Sequence, residues 1–318
     1  MKKKLLLTGG TGFLGSVIAK KLKNDFDLTL LQRNKPRECN KGFSYIECDL
    51  SNSGIPEKKF DDWSVVVHAA GKAHVLYDHH ASKDIFEEIN VIGTKNLLRS
   101  LSNRLPDLFV FISSISVYGV NSGQNIDEQH PLGATDLYGM SKIKAEKEVL
   151  KWTKREGVDC VILRLPLIVG PNPTGNLGRM IKAIEGRRYV RIGKAEARKS
   201  MVWAGDIADI IPKLKGINGI YNLTDQHHPS FYELENIFAK KLNRRIYSIP
   251  ISIAYVISFI EKVMSTLGMH NVIPLDKKTL IKITETVTFD DSKSIHDFNW
   301  SPSNVLEKLR EMNINQQR

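Results

Sequence analysis

Cysteine is scarce. The chain holds three, Cys39, Cys48 and Cys160, in an odd number and with no C-x-x-C pair. That excludes a disulfide framework and a thiolate metal knuckle, and reads as reduced thiols of a cytoplasmic protein. Long apolar runs are missing too. Leu5-Leu6-Leu7 follows three lysines but stops at Thr8-Gly9-Gly10, too short for a secretory leader. Ile249 to Ile260 contains Pro250 and gives way to Glu261-Lys262, about a dozen residues where a bilayer span needs about 20. Membrane insertion is therefore not expected. Acid is in deficit: 35 Asp and Glu against 46 Lys and Arg leave a net charge of +11. A basic surface suits phosphate-bearing partners. Nucleic acid is disfavoured among them, because the basic residues are dispersed and no basic–aromatic motif occurs. No repeat or low-complexity tract appears, and 42% hydrophobic with 25% charged residues is the balance of a globular chain, not of a disordered one or a coiled coil.

What is present alternates. Leu5 to Leu7, Leu28 to Leu31, Val65 to Val67, Phe109 to Ile112 and Val161 to Leu163 are near-continuous apolar runs, as in strands buried on both faces of a parallel sheet. Helix-length segments such as Phe86 to Leu101 and Lys142 to Glu156 separate them. Strand and helix in alternation predict an α/β fold, a Rossmann-type doubly wound parallel sheet over residues 1–165. A segment near 200–225, with a strand at Ile220 to Leu223, is expected to return to that sheet. After Pro166 the texture changes to turn chemistry over Gly170 to Asn176, then helical patterns at Phe231 to Leu242, Ile253 to Leu267 and Val305 to Met312. Residues 166–318 are expected to form a smaller mixed substrate-binding region.

Directly after the first strand comes Gly9-Gly10-Thr11-Gly12-Phe13-Leu14-Gly15, then a helical pattern. The first glycines allow the tight turn, Gly12 lets backbone approach a pyrophosphate, and Gly15 lets the helix sit close to the strand. The amides of Phe13 and Leu14 at the helix start would meet the phosphate charge. A glycine triplet alone would be met by any tight βα turn; the strand–turn–helix setting is what points to dinucleotide binding. An acid about 20 positions on would take the ribose hydroxyls of NAD(H). This chain has Gln32-Arg33-Asn34-Lys35 there. The Arg33 guanidinium suits a 2′-phosphate and favours NADP(H) over NAD(H), unless it is simply solvated. Asp49, with Leu50 beside it after the third strand, is placed to accept from the adenine amino group.

Leu137-Tyr138-Gly139-Met140-Ser141-Lys142 puts Tyr138 and Lys142 four apart, on one face of a helix. An ammonium beside a phenol is expected to lower its pKa from about 10, so that Tyr138 exchanges a proton with a hydroxyl or carbonyl near neutral pH. The spacing also occurs by chance. Upstream, Phe111-Ile112-Ser113-Ser114-Ile115-Ser116-Val117-Tyr118-Gly119 is a strand running into a hydroxyl-rich end. His79-His80 and His227-His228 lack companion ligands and read as loop histidines, so no metal is expected.

The glycine loop, Ser-Ser-x-Ser-Val-Tyr-Gly and Tyr-Gly-x-Ser-Lys, in this order, resemble the extended short-chain dehydrogenase/reductases, within them the NAD(P)-dependent epimerase/dehydratase family acting on nucleotide sugars. His68-Ala69-Ala70-Gly71, Asn90-Val91-Ile92-Gly93-Thr94 and Leu163-Arg164-Leu165-Pro166 fall where that family has similar stretches. The resemblance implies that Ser114, Tyr138 and Lys142 are catalytic and that Ala69, Ala70, Gly71, Pro166 and Leu167 line the cofactor. It implies that Asn176, Arg198 and Lys199 meet the substrate's diphosphate, and that the chain is a homodimer. A solvated pair is the plainer reading of Arg198 and Lys199.

Dehydratases of the family carry Asp-Glu where this chain has Ile115-Ser116, and elimination needs that acid and base. A 4-epimerase and a 4-ketoreductase of a UDP-linked sugar remain, both using the same three residues. His68 to Val75 and the apolar helix near Tyr255 resemble the bacterial UDP-N-acetylquinovosamine-type 4-reductases of surface-polysaccharide pathways, and Arg33, by favouring exchangeable NADPH, leans toward reduction. Ser116-Val117-Tyr118-Gly119 resembles the epimerases instead. The reductase reading, on a 2-acetamido sugar, is preferred. A non-catalytic dinucleotide-binding protein is the alternative of another class, and the intact Tyr138 and Lys142 speak against it.

Overall fold

A computed structural model describes residues 2–34, 43–52, 55–56, 59, 61–73, 84–173, 175–266 and 277–312, the side chains of 176, 260–266 and 277–278 excepted. Cys39, Lys35, His74, His79, His80 and Leu267 lie outside the described residues.

Seven strands form the central sheet: β1 (Lys3–Thr8), β2 (Phe26–Gln32), β3 (Ser44–Glu47), β4 (Val65–His68), β5 (Leu108–Ser114), β6 (Asp159–Leu165) and β7 (Gly219–Asn222). Their spatial order is β7-β6-β5-β4-β1-β2-β3, and every pairing is parallel. This is the doubly wound sheet expected from the apolar runs. β4 and β5 are buried along their whole length, which explains why they read as continuous rather than alternating hydrophobic stretches. Strand order reverses at β1, between β2 and β4, and crevices at such switch points face the carboxyl ends of the strands.

Helix α1 (Phe13–Leu22) packs Leu14, Ile18 and Leu22 on one face of the sheet, together with Ile207 and Ile210 of a helix at Ala204–Ile210. Helices α2 (Gly93–Leu101) and α3 (Leu137–Glu156) cover the other face through Leu97, Leu101, Val149 and Trp152. Helix α3 begins five residues before the predicted Lys142. Asp136 caps it by accepting from the Gly139 amide at 3.0 Å, and Gly157 ends it with φ +71°. That early start places Tyr138 in the first turn.

Outside the central sheet the chain makes short parallel pairs, 167–169 with 201–203, 190–192 with 247–249, and 123–126 with 287–289. A helix at Gly175–Glu185 follows the turn-rich Gly170 to Asn176. It joins helices Phe231–Leu242 and Val305–Glu311 around a separate apolar cluster that includes Ile184, Leu234, Phe238 and Leu309.

Candidate active site

The glycine loop runs from the carboxyl end of β1 into α1. Gly9 has φ +72°, and a Cβ there would stand 2.6 Å from the Ala70 nitrogen, so the loop lies tight against the segment after β4. The Gly12 amide donates to the Gly9 carbonyl at 2.9 Å. At Gly15 a Cβ would stand 2.1 Å from the Gly9 oxygen, which is the close helix–strand approach that only glycine permits. Gly12 begins α1 with no side-chain cap, and no acid occupies the first turn. The N-terminal amides and positive helix end are left for an anion. Leu14 is buried in the core, whereas Phe13 is half-buried with its ring against Gly170.

At the end of β2, Arg33 is exposed. Its neighbour Gln32 is buried, and neither polar atom of its amide has a hydrogen-bond partner among the described residues. A buried amide left unpaired is costly, and this one sits where a dinucleotide's ribose lies in such folds. The uncapped α1, the glycine cradle and the open amide together fit a dinucleotide. Asp49 accepts from the Ser51 amide and hydroxyl through one oxygen. Leu50 is buried against α2, and its carbonyl takes the Asn96 amide at 2.8 Å.

A second group of residues assembles at the carboxyl ends of β4 and β5. Ser114, the last residue of β5, is buried, and its hydroxyl accepts from the Ser116 amide at 3.1 Å. It donates to the Ser116 hydroxyl at 3.2 Å and lies near enough to the Tyr138 phenol to favour its ionised form. Tyr138 leans on Phe86, ring centroids 6.0 Å apart. The Lys142 ammonium, one helical turn on, is buried, donates to the Ile112 carbonyl at 2.8 Å and lies 4.7 Å from the Phe111 ring centre. Gly71 meets the same ammonium: a Cβ added there would stand 3.4 Å from Nζ. Ser114, Tyr138, Lys142 and the Ala69–Gly71 segment thus converge.

One expectation is overturned. The Tyr138 pKa is raised above 10, not lowered: burial dominates, and the neighbouring Ser114 hydroxyl only partly opposes it. Lys142 faces the Ile112 carbonyl, and burial brings its own pKa down to about 8 against the pull of Glu146. The phenol is therefore protonated at neutral pH.

Several residues that shape this site, most of them within the quoted stretches, have no role assigned from sequence. Asn90, in a wide π-type turn before α2, accepts from the Lys72 amide at 2.8 Å and donates to Ser141 at 2.8 Å. It ties the loop after β4 to the residue preceding Lys142. Glu146 extends the Tyr138–Lys142 spacing by another four, and that periodicity was the available signal. It is buried and held by Arg164 of β6 at 2.8 and 3.1 Å and by Ser113. Arg164 in turn reaches the Tyr118 hydroxyl at 3.1 Å, which donates to Asn222 at 2.8 Å. Beneath the glycine loop, His68 bonds Thr8 through Nδ1 at 2.7 Å and Thr94 through Nε2 at 2.9 Å. Thr94 already donates to the Asn90 carbonyl, so it accepts from Nε2, and Nδ1 accepts from Thr8. Thr8 then accepts from the Ala70 amide at 3.0 Å. Burial drives the His68 pKa down to about 3, and its ring is neutral.

The remaining predicted residues stand apart from that hydrogen-bonded group. Pro166 is buried between β6 and the strand at 167–169, and Leu167 pairs with Met201. Asn176 lies in the helix at Gly175–Glu185, its side chain outside the described residues. Arg198 is exposed and donates to the His228 carbonyl at 3.1 Å. Lys199 donates to the Glu285 carbonyl at 2.7 Å, and burial lowers its pKa to about 8. His227 faces Glu233 at 3.4 Å and His228 faces Ser200 at 3.0 Å. Among the described residues no three His, Cys, Asp or Glu side chains gather as a metal site, and no helix is long and apolar enough to cross a membrane.

A parallel sheet with a glycine-lined helix start at its switch point, and a serine–tyrosine–lysine group beside it, defines the short-chain dehydrogenase/reductase class. The chain belongs to the NAD dependent epimerase/dehydratase family, whose model matches residues 5–215. It is 26% identical to the UDP-glucose 4-epimerase of Vibrio cholerae, over 97% of this chain and 93% of that protein. Its fold superposes on the UDP-N-acetylglucosamine 4-epimerase of Bacillus cereus with a TM-score of 0.77 at 19% identity, covering 100% of both chains. The UDP-glucose 4-epimerase of Thermus thermophilus, solved with NAD, superposes with a TM-score of 0.73 at 21% identity, covering 96% of each.

Proposed function

We propose that the protein is an NAD(P)-dependent oxidoreductase acting at C4 of a UDP-linked 2-acetamido sugar, reducing a C4 ketone for surface-polysaccharide synthesis. The observation that carries this reading is the buried Tyr138 phenol beside Ser114, kept protonated by burial, with Lys142 one helical turn away. A phenol that burial keeps protonated is matched to giving a proton to a carbonyl oxygen. Ser114 would bind the same oxygen, and Lys142 would hold the cofactor's ribose from beside Gly71. The dinucleotide, when bound, supplies or accepts the hydride. Its pyrophosphate would rest on the amides of Phe13 and Leu14 between Gly9, Gly12 and Gly15. Ala69, Ala70, Asp49, Leu50, Pro166 and Leu167 would line its remaining length. Arg33 would take a 2′-phosphate, which selects NADP(H). Asn176, Arg198 and Lys199 would face the substrate diphosphate. Exposed Ile92, Met140 and Leu150, on or beside α2 and α3, support a homodimer through those helices, and the composition supports a cytoplasmic protein.

The experiment mixes purified protein with 4-keto UDP-sugars and NADPH or NADH and follows nicotinamide absorbance. Stoichiometric NADPH consumption is the expected result. A second reading, 4-epimerisation with retained NAD, is favoured by the curated relative. Isomer formation from UDP-sugars without net redox change would replace the first reading by that one.

A further inference from the structure

The helix Ile251–Thr266 is turned inside out. Over its described side chains, Ala254 and Ser258 are buried. The large apolar residues Ile251, Ile253, Tyr255, Val256 and Phe259 stand 42 to 66% exposed, and Tyr247, just before the helix, 74%. A helix packed for water alone puts its large apolar side chains inward and its serines outward. Isolated exposed apolar residues are ordinary, but a contiguous set marks an interaction site. Tyr247 pairs in register with Val190, itself 45% exposed, which extends the strip across the strand pair.

Charge identifies the occupant. Residues 187–194 and 240–260 carry eight Lys and Arg and no Asp or Glu. Three are engaged within the protein, Arg191 with Glu235, Lys241 with the carbonyls of Arg310 and Met312, and Arg244 with the carbonyl of Glu185. The two segments are adjacent: Gly193 donates to the Ile249 carbonyl at 2.9 Å, a Cβ on Gly193 would lie 3.8 Å from Ile251, and Arg244 donates to the Glu185 carbonyl at 3.1 Å. Arg187, Arg188, Lys194 and Arg245 are exposed beside the apolar strip. An apolar strip with three aromatic rings, bordered by cations on the adjoining segments, suits the interface of an anionic membrane.

We infer that this face docks the protein on an anionic phospholipid surface, with the helix in the headgroup plane and not across the bilayer. The inference stands apart from the proposed sugar chemistry. The full chain would be floated with vesicles of phosphatidylcholine alone or with one quarter phosphatidylglycerol, at low and high salt. Binding is expected to the anionic vesicles only and to weaken at high salt. Phe259→Asp should weaken it tenfold or more. Each of Arg187→Gln, Arg188→Gln and Arg245→Gln, at exposed positions that leave folding intact, should weaken it about fivefold. Absence of flotation with anionic vesicles overturns the inference. So does binding that Phe259→Asp leaves unchanged in a protein with wild-type circular dichroism. A Phe259→Asp variant that changes oligomer size while the wild type binds no vesicle assigns the face to a second copy and likewise overturns it.

Discussion

His68 is a buried neutral imidazole, and acid should find it. Its ring is 1% exposed, and burial lowers its pKa from 6.5 to about 3. Between those values the unfolded chain holds a proton that the folded chain refuses. Stability therefore rises with pH across that window and falls on acidification, by about 1.4 kcal/mol per pH unit. Over the interval from 6.5 to about 3 the loss is roughly 4–5 kcal/mol, a large share of the 5–15 kcal/mol of a typical domain. His68→Asn removes the titrating group and retains an acceptor for Thr8, at a pH-independent cost of about 1–3 kcal/mol for the imperfect replacement. Urea unfolding of both proteins at half-unit steps from pH 7 to 3.5 gives the two slopes. The variant should lose about 1 kcal/mol less per pH unit than the wild type through pH 5 to 4. Equal slopes would refute a neutral buried His68.

Three further outcomes are expected. Tyr138→Phe should cut turnover by 10²–10⁴ while dinucleotide affinity, by fluorescence titration, changes less than about threefold. In Gly15→Ala the new methyl meets the Gly9 carbonyl at 2.1 Å, so dinucleotide binding should be lost with a destabilisation of about 1–3 kcal/mol or more, read by titration and thermal melting. Arg164→Met leaves Glu146 buried without its cation and should cost about 3–5 kcal/mol in urea unfolding, whereas the double variant Arg164→Met/Glu146→Gln should recover most of it.

Legibility followed burial. β4 and β5 are wholly buried and announce themselves as apolar runs, whereas β3 has one buried residue in four and sits at the sheet edge, so little in its sequence demands a strand. The helix at Gly175–Glu185 is hidden by the turn residues before it. The Tyr138–Lys142 pair and the glycine loop are readable because each is a short spacing within one stretch of chain, whereas Ser114 is reached only through the family resemblance. Glu146 lies on the same spacing, but its partner Arg164 is on another strand, and a pairing across elements leaves no local pattern. The direction of the Tyr138 pKa is illegible for a related reason. Spacing puts the ammonium on the same helix face, but only the packed structure shows that it is held by the Ile112 carbonyl and that burial sets the direction for the phenol.

The seventh strand reaches back over more than fifty residues to pair with β6, and Asn222 within it accepts the Tyr118 hydroxyl. During synthesis, β6 therefore remains an exposed sheet edge until β7 arrives, with the polar groups around Arg164 and Tyr118 still incomplete. Such an edge invites pairing with other nascent chains. Completion of the sheet thus waits on residues 219–222, which replace the seven-residue β6 at the edge by a four-residue strand that offers a neighbouring chain less to pair with.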